Sequence, residues 1–259
     1  MNDRQREIVL PDGDVKRELR RRTRRSFLIG GLAAAAGFGG YKLVNAGNEG
    51  GAASAQRHML NFNGHLNQAF FSNARLMPTY SPDQVRYLKP NGNLGLQSEI
   101  GDWQLNVQSA RAATQGALTL DVLALTLDDV KALPKVTMIP RFCCIEGWST
   151  IVQWGGARFS DFTRKYLRPG FHPRYVYMET PDAEYYVGLD MKSALHPQTL
   201  LAYEKDWKPL TPDHGAPLRL IIPVKYGIKS IKRIGLIQYT DAKPDDYWAD
   251  EGYDWYSGL

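Results

Sequence analysis

Cysteine is almost absent from this 259-residue chain: there are two, Cys143 and Cys144, and they are neighbours. Adjacent cysteines cannot staple distant loops, so no disulfide framework of the kind found in small secreted domains is available. Five histidines and these two cysteines show no spacing suited to a zinc site. There is no P-loop and no Gly-x-Gly-x-x-Gly fingerprint, which removes the common sequence signatures of nucleotide binding. Repeats and coiled-coil heptads are lacking, and no long low-complexity segment follows Ala55. Charge excess is also scarce where it would matter. The first 55 residues hold ten Lys/Arg against six Asp/Glu, which accounts for +4 of the chain's +5. The remaining +1 gives no argument for nucleic acid or an acidic membrane surface as a partner.

The excess of positive charge sits mainly in a leader. Lys16 to Arg25 is dense in arginine, and an uncharged Gly/Ala-rich stretch follows from Ser26 to Tyr41. A basic segment, a modest apolar segment and small residues at a cleavage point describe a signal peptide. Thr23-Arg24-Arg25-Ser26-Phe27-Leu28 resembles the twin-arginine consensus, an address read by a receptor. The stretch is short and Gly/Ala-rich for a membrane span, which needs about 20 strongly apolar residues. Ala53-Ser54-Ala55 offers a cleavage site, with Val44-Asn45-Ala46 as a second. Residues 1–55 are therefore expected to be a signal peptide, or an inner-membrane tether if uncleaved. Residues 56–259 are expected to form one domain working in the periplasm. The twin-arginine route carries folded proteins, and its common clients acquire a complex cofactor before export.

The 204 residues after Ala55 suffice for one substantial core. Short β-rich runs dominate: Trp103–Val107, Leu118–Val122, Tyr175–Glu179, Leu218–Ile222, Ile231–Ile234 and Leu236–Tyr239. Helices look few. Thr126 with Asp129 reads as a capping box stopped by Pro134, and Phe159–Tyr166 reads as a second helix. The pattern predicts an α+β domain with mixed sheets. From Asp241 onward the tail carries six acids and five aromatics. It reads as a strap whose rings pack on the domain while its acids stay in water.

Two segments carry candidate chemistry. In Arg141-Phe142-Cys143-Cys144-Ile145-Glu146-Gly147-Trp148, a thiolate could bind a soft or high-valent metal, or a buried cysteine could be inert packing. In His214-Gly215-Ala216-Pro217-Leu218-Arg219 and Tyr226-Gly227-Ile228-Lys229-Ser230-Ile231-Lys232, two glycines allow close backbone approach. Arg219, Lys229 and Lys232 supply charge-assisted donors, and Ser230 can complete an anion nest. The plain alternative is a turn between strands with wet lysines.

Taken together and in this order, the two segments resemble the molybdopterin-binding domain of the sulfite oxidase superfamily. They look closest to its exported single-domain branch, which includes the catalytic subunit of periplasmic methionine sulfoxide reductase. The similarity runs from about Thr126 to Tyr239. It implies a sulfite-oxidase-type fold, a molybdenum-molybdopterin cofactor and two-electron oxygen-atom transfer. It implies Cys144 as the molybdenum ligand, beside two dithiolene sulfurs, with Cys143 not the ligand. Thr180, His214, Arg219, Ser230, Ile231 and Lys232 match cofactor-binding positions, and Asn73 falls near an upstream pterin-contacting segment. Arg141 is the candidate for contact with an oxo group or an S-oxide, or else a structural arginine. The implied reaction is reduction of an S- or N-oxide, on a small molecule or on protein methionine, with electrons from a membrane haem protein. The alternative is oxidation of a small anion such as sulfite, with a soluble cytochrome as acceptor. Departures from the branch are His214, where Asn is common, and Gly147 before Trp148. No haem attachment motif is present. A monomer is expected. Rival classes are a Cys-dependent hydrolase using His172, His196 or His214, and a cofactor-free binding module.

Overall fold

The computed structural model describes residues 12–47, 51–97, 100–112 and 118–259. The first eleven residues of the expected leader lie outside them. The chain divides into two units: residues 1–49 with 53–56, and residues 50–52 with 57–259. In the first, helix α1 (Asp12–Val44) is continuous through both the arginine-rich stretch and the Gly/Ala-rich one. Phe27, Leu28, Leu32 and Phe38 on it are all exposed. Among the described residues no helix is long and apolar enough to cross a membrane.

The second unit carries the chain from Arg57 onward, so residues 54–56 of the next helix count with the first. Helix α2 (Ser54–Phe70) begins at the Ala53-Ser54-Ala55 motif, and its Arg57 is buried. The Arg57 guanidinium donates to the carbonyls of Ala249 and Tyr253, at 2.6 and 2.9 Å. Sequence reasoning did not foresee this helix, because its apolar residues Met59, Phe62, Leu66 and Phe70 face solvent rather than a core.

The first sheet combines β1 (Leu105–Ala112) and β2 (Leu118–Leu125) with later strands. After β2 comes α3 (Leu127–Lys131), started by the expected box: Thr126 accepts from the Asp129 amide and the Asp129 side chain accepts from the Thr126 amide. Then follow β3 (Lys135–Met138), β4 (Arg141–Cys143), β5 (Ser149–Ile151) and β6 (Trp154–Arg158). Helix α4 (Phe159–Tyr166) buries Phe159, Phe162 and Thr163, and the Thr163 hydroxyl pairs with Tyr239 Oη at 2.9 Å. Strands β7 (Tyr175–Glu179) and β8 (Tyr186–Asp190), helix α5 (Met191–Ala194), and strands β9 (Leu200–Lys205), β10 (Lys208–Pro209), β11 (Arg219–Ile221) and β12 (Leu236–Thr240) follow. Helix α6 (Tyr247–Asp250) lies in the tail.

One sheet has the order β2-β1-β12-β7-β8, with β1 and β12 parallel and the other pairs antiparallel. The other has the order β10-β9-β6-β3, with β11 also on β9. The domain is α+β with a mixed sheet, as the sequence pattern predicts. The larger apolar cluster includes Leu105, Phe162, Met178, Leu220 and Ile237, each fully buried. Each such side chain contributes about 1.5–3 kcal/mol of transfer free energy. A smaller cluster around Trp154, Leu200 and Val152 supports the β4–β5 hairpin through Phe142 and Trp148. That hairpin is a separate two-stranded ribbon, and its turn holds Cys144.

The run 231–234 is not a strand, contrary to expectation. Arg233 has φ 45°, which interrupts extended backbone. Its side chain instead donates to Ala216 O and Leu96 O. The tail also departs from expectation. Tyr247 and Trp248 do pack on the core. Asp246, however, is fully buried, with its Oδ2 2.5 Å from Lys229 Nζ.

Candidate active site

The Cys144 turn is built by the β4–β5 pairing, in which Cys143 faces Ser149 and Phe142 faces Thr150. The Cys144 amide donates to Trp148 O at 2.9 Å and the Gly147 amide to Cys144 O at 3.2 Å. Gly147 takes φ 90°, a left-handed conformation that glycine adopts without steric cost. Alternation along the strand then sorts the two cysteines. Phe142 and Cys144 line a cavity of about 310 Å³, whereas Cys143 is not among its lining residues. Both are free thiols.

Around the Cys144 sulfur stand Glu146 and Asn91, and the rings of Phe142 and Trp148 line the same cavity. Cys144 Sγ is 3.7 Å from Glu146 Oε2 and 3.9 Å from Asn91 Nδ2. Glu146 Oε2 accepts from Trp148 Nε1 at 2.8 Å. Phe142 and Trp148 rings lie 6.4 Å apart. Burial pushes the Cys144 thiol above its ordinary value, and the Glu146 charge adds to the rise. A bound metal cation reverses that balance by binding the thiolate and releasing the proton.

The opposite lining comes from His214, Arg219, Gly227, Ile228, Ser230 and Lys232. Two close approaches bring these together. Gly215 takes φ 93°, and a Cβ there would lie 2.7 Å from Lys232 Cβ and 2.8 Å from Lys232 Cα. A Cβ on Gly227 would lie 2.7 Å from the Phe142 ring, so glycine lets this segment close onto the cysteine hairpin. Arg219 is buried and clamps the two halves of the segment. It donates to His214 O and Ser230 O, both at 2.9 Å, while its guanidinium lies 4.9 Å from the Trp154 ring centroid. Arg219 Nε is buried with no partner among the described residues. Lys232 Nζ donates to Asn91 O and Gly92 O at 2.9 Å each.

The electrostatics follow from burial. Burial and the charges of Lys205, Arg219 and Lys232 pull His214 down to about 4, so it is neutral at pH 7. Burial, with Arg219 next, brings Lys232 down to about 8. Among the described residues no carboxylate forms an ion pair with Arg219 or Lys232. Desolvated cations without a counter-charge create a demand for an anion.

Several expected residues stand elsewhere. Arg141 is exposed, 5.6 Å from the Tyr80 ring centroid, and is not among the lining residues. Asn73 is exposed in the turn after α2; the asparagine that lines the cavity is Asn91. Ile231 is fully buried in the core, with its carbonyl accepting from Leu220. Thr180 lies behind the wall, donating to Asp182 Oδ1 at 2.6 Å and accepting from the Tyr185 amide at 3.1 Å. It thereby holds Tyr185, whose hydroxyl donates to Ile228 O and whose ring lines the cavity. Lys229 does not reach the cavity: Asp246 and Gly188 O occupy its ammonium. Sequence reasoning missed Asn91, Tyr185 and Trp248. Pro90-Asn91-Gly92 is a turn signal that could have marked the first.

The lining fits the expected cofactor. A lone soft sulfur stands at one end, as a metal held by one protein thiolate requires. At the other, a partnerless Arg219 Nε, Lys232, Ser230 and His214 suit a phosphate-bearing tail. Cys144, His214, Arg219, Ser230 and Lys232 would hold it.

Comparison with known proteins agrees with the geometry. Residues 93–248 match the family of oxidoreductase molybdopterin binding domains. The chain is 34% identical over 79% of its length to a putative protein-methionine-sulfoxide reductase subunit YedZ1 from Azospira oryzae, covering 76% of that protein. It is 36% identical over 53% of its length to the protein-methionine-sulfoxide reductase catalytic subunit MsrP from Campylobacter jejuni, of which it spans about half, 52%. A solved structure, the sulfane dehydrogenase SoxCD from Paracoccus pantotrophus, aligns with a TM-score of 0.47 at 17% identity, over 57% of this chain and 40% of that one. With over half the chain matched, and a cavity whose thiol and cations suit such a cofactor, the chain belongs to the oxidoreductase molybdopterin-binding family, within the sulfite oxidase superfamily.

Proposed function

We propose that this oxidoreductase reduces an S- or N-oxide, foremost methionine sulfoxide in proteins, after export by the twin-arginine route. Residues 1–55 then act as leader or tether, residues 56–259 as the periplasmic catalytic domain, and a membrane haem protein supplies electrons. When bound, molybdopterin supplies a molybdenum centre capable of two-electron oxygen-atom transfer. The net reaction takes a sulfoxide, two electrons and two protons to a thioether and water.

The chain's own residues divide the work. Cys144 is the metal ligand, and Asn91 and Trp148 fix Glu146 beside it. His214, Arg219, Ser230 and Lys232 hold the anionic tail of the cofactor. Thr180 and Tyr185 brace the wall between these ends.

The observation that carries the choice of substrate is the Glu146 carboxylate, 3.7 Å from Cys144 Sγ, with Phe142 and Trp148 completing the hairpin's contribution to the cavity. A carboxylate and two rings repel an oxyanion such as sulfite, yet accept a neutral sulfoxide with apolar substituents. Arg141, the candidate oxyanion contact, stands outside the lining. The names of the relatives support the same reading. Purified holoprotein with reduced viologen should turn over methionine sulfoxide, and with ferricyanide should oxidise sulfite slowly or not at all. Dominant sulfite oxidation with no sulfoxide reduction would overturn the reading.

A further inference from the structure

The β9–β10 hairpin is closed by only two residues, Asp206 and Trp207, between the pair Lys205 and Lys208. Both take positive φ, 50° and 59°. Two-residue hairpins of this kind favour Asn-Gly or Asp-Gly, because side chains with a Cβ are strained in the left-handed region. A tryptophan there is an outlier, and such strain persists only where surrounding contacts enforce it. Gln153, fully buried, enforces it: its Oε1 accepts from the Trp207 amide at 2.6 Å and its carbonyl from the Asp206 amide at 3.1 Å. The strained turn does not bury the indole. Trp207 is 54% exposed.

A second exposed ring stands nearby. Tyr87 is 77% exposed, and Lys205 Nζ lies 5.9 Å from its ring centroid. Tyr87 immediately precedes Leu88 and Lys89, both of which line the cofactor cavity. Lys205 in turn pairs across β6 with Trp154, beneath Arg219. Its charge is felt at His214 on the cavity wall. Tyr87 therefore adjoins the cavity lining, and the Asp206-Trp207 turn is tied to it through the Lys205–Asp206 ion pair, outside the residues that hold the cofactor.

The geometry points to Tyr87 and Trp207 as a docking rim that holds the polypeptide around an oxidised methionine, with the largely buried Lys205, ion-paired to Asp206 at 2.5 Å, linking the two. This inference rests on the reading of the chain as a sulfoxide reductase. Exposed Trp and Tyr offer large, rigid, amphipathic surface at low entropic cost, and such rings dominate peptide and protein contacts. The rim makes no contact with the reacting sulfur, so it distinguishes protein-bound sulfoxide from the free amino acid.

The test uses holoprotein driven by reduced viologen and two substrates. One is free methionine sulfoxide; the other is a twelve-residue peptide with a central methionine sulfoxide. Trp207→Gly and Tyr87→Ala should each lower kcat/KM for the peptide about three- to tenfold, the size of one lost aromatic contact. Free methionine sulfoxide should change less than about twofold. Because glycine accepts the left-handed turn, Trp207→Gly should also leave Tm unchanged or higher. A role confined to folding would instead lower Tm and affect both substrates equally. Equal changes for both substrates, or an unaffected peptide rate, would overturn the docking rim while leaving the sulfoxide reading intact. A wild-type protein that reduces neither substrate would overturn both.

Discussion

The hairpin that carries Cys144 and the segment from His214 to Lys232 line one cavity but are held in opposite ways. The hairpin is a two-stranded ribbon whose sulfur, among the described residues, meets a carboxylate and an amide. The cationic segment is locked from several sides. Arg219 ties its two halves, Gly215 packs on Lys232, and Lys229 anchors it to the tail through Asp246. The contrast follows from the jobs. A reacting centre needs open coordination and room for substrate, whereas an anionic tail needs fixed donors whose desolvation is offset once. The locked half is where stability resides, and the loosely held half is where chemistry does.

Breaking either half should therefore read out differently. Cys144→Ser should remove at least about a hundredfold of the activity, beyond the 10–100-fold typical of outer-shell partners, with little change in Tm. Cys143→Ser, whose side chain does not line the cavity, should stay within about twofold of wild type. A reversal of the two would mean that strand alternation sorts the cysteines the other way. On the locked half, Asp246→Ala strands a fully buried Lys229 ammonium, so urea titration should show a loss of about 3–5 kcal/mol. A loss below about 1 kcal/mol would remove the tail from the account of stability.

A further expected effect is electrostatic. His214 in the fold sits near 4, below its ordinary 6.5. As pH falls through about 6.5 the unfolded chain takes up this proton while the folded one refuses it until about 4, so stability drops across that window. Above pH 6.5 the group contributes nothing to the slope. Cofactor-free His214→Gln should therefore lose less stability than wild type between pH 6.5 and 4. Parallel curves in that range would show that the imidazole does not titrate as its surroundings dictate.

Sequence legibility tracked locality. Helix α4 could be read because Phe159, Phe162 and Tyr166 repeat at helical spacing, and α3 because Thr126 and Asp129 form a self-contained cap. Strand β7 ends where its alternation ends. What could not be read depends on distant partners. Lys229 looks like a phosphate ligand until Asp246, seventeen positions on, takes its ammonium. Asn73 and Asn91 are chemically alike, and only the fold decides that Asn91 faces Cys144. Helix α2 was missed because its stripe of Met59, Phe62, Leu66 and Phe70 is exposed, and the residues it buries, Arg57 and Gly64, are not apolar side chains. The extended run expected at 231–234 fails at one residue, Arg233, whose side chain is needed to hold the Ala216 and Leu96 loops.

Molybdenum X-ray absorption on wild-type holoprotein and both cysteine variants tests the central claim most directly. A metal gripped by Cys144 should show one sulfur fewer in its shell in Cys144→Ser, with Cys143→Ser indistinguishable from wild type. An unchanged shell in Cys144→Ser, or a sulfur lost in Cys143→Ser, would contradict the site described above.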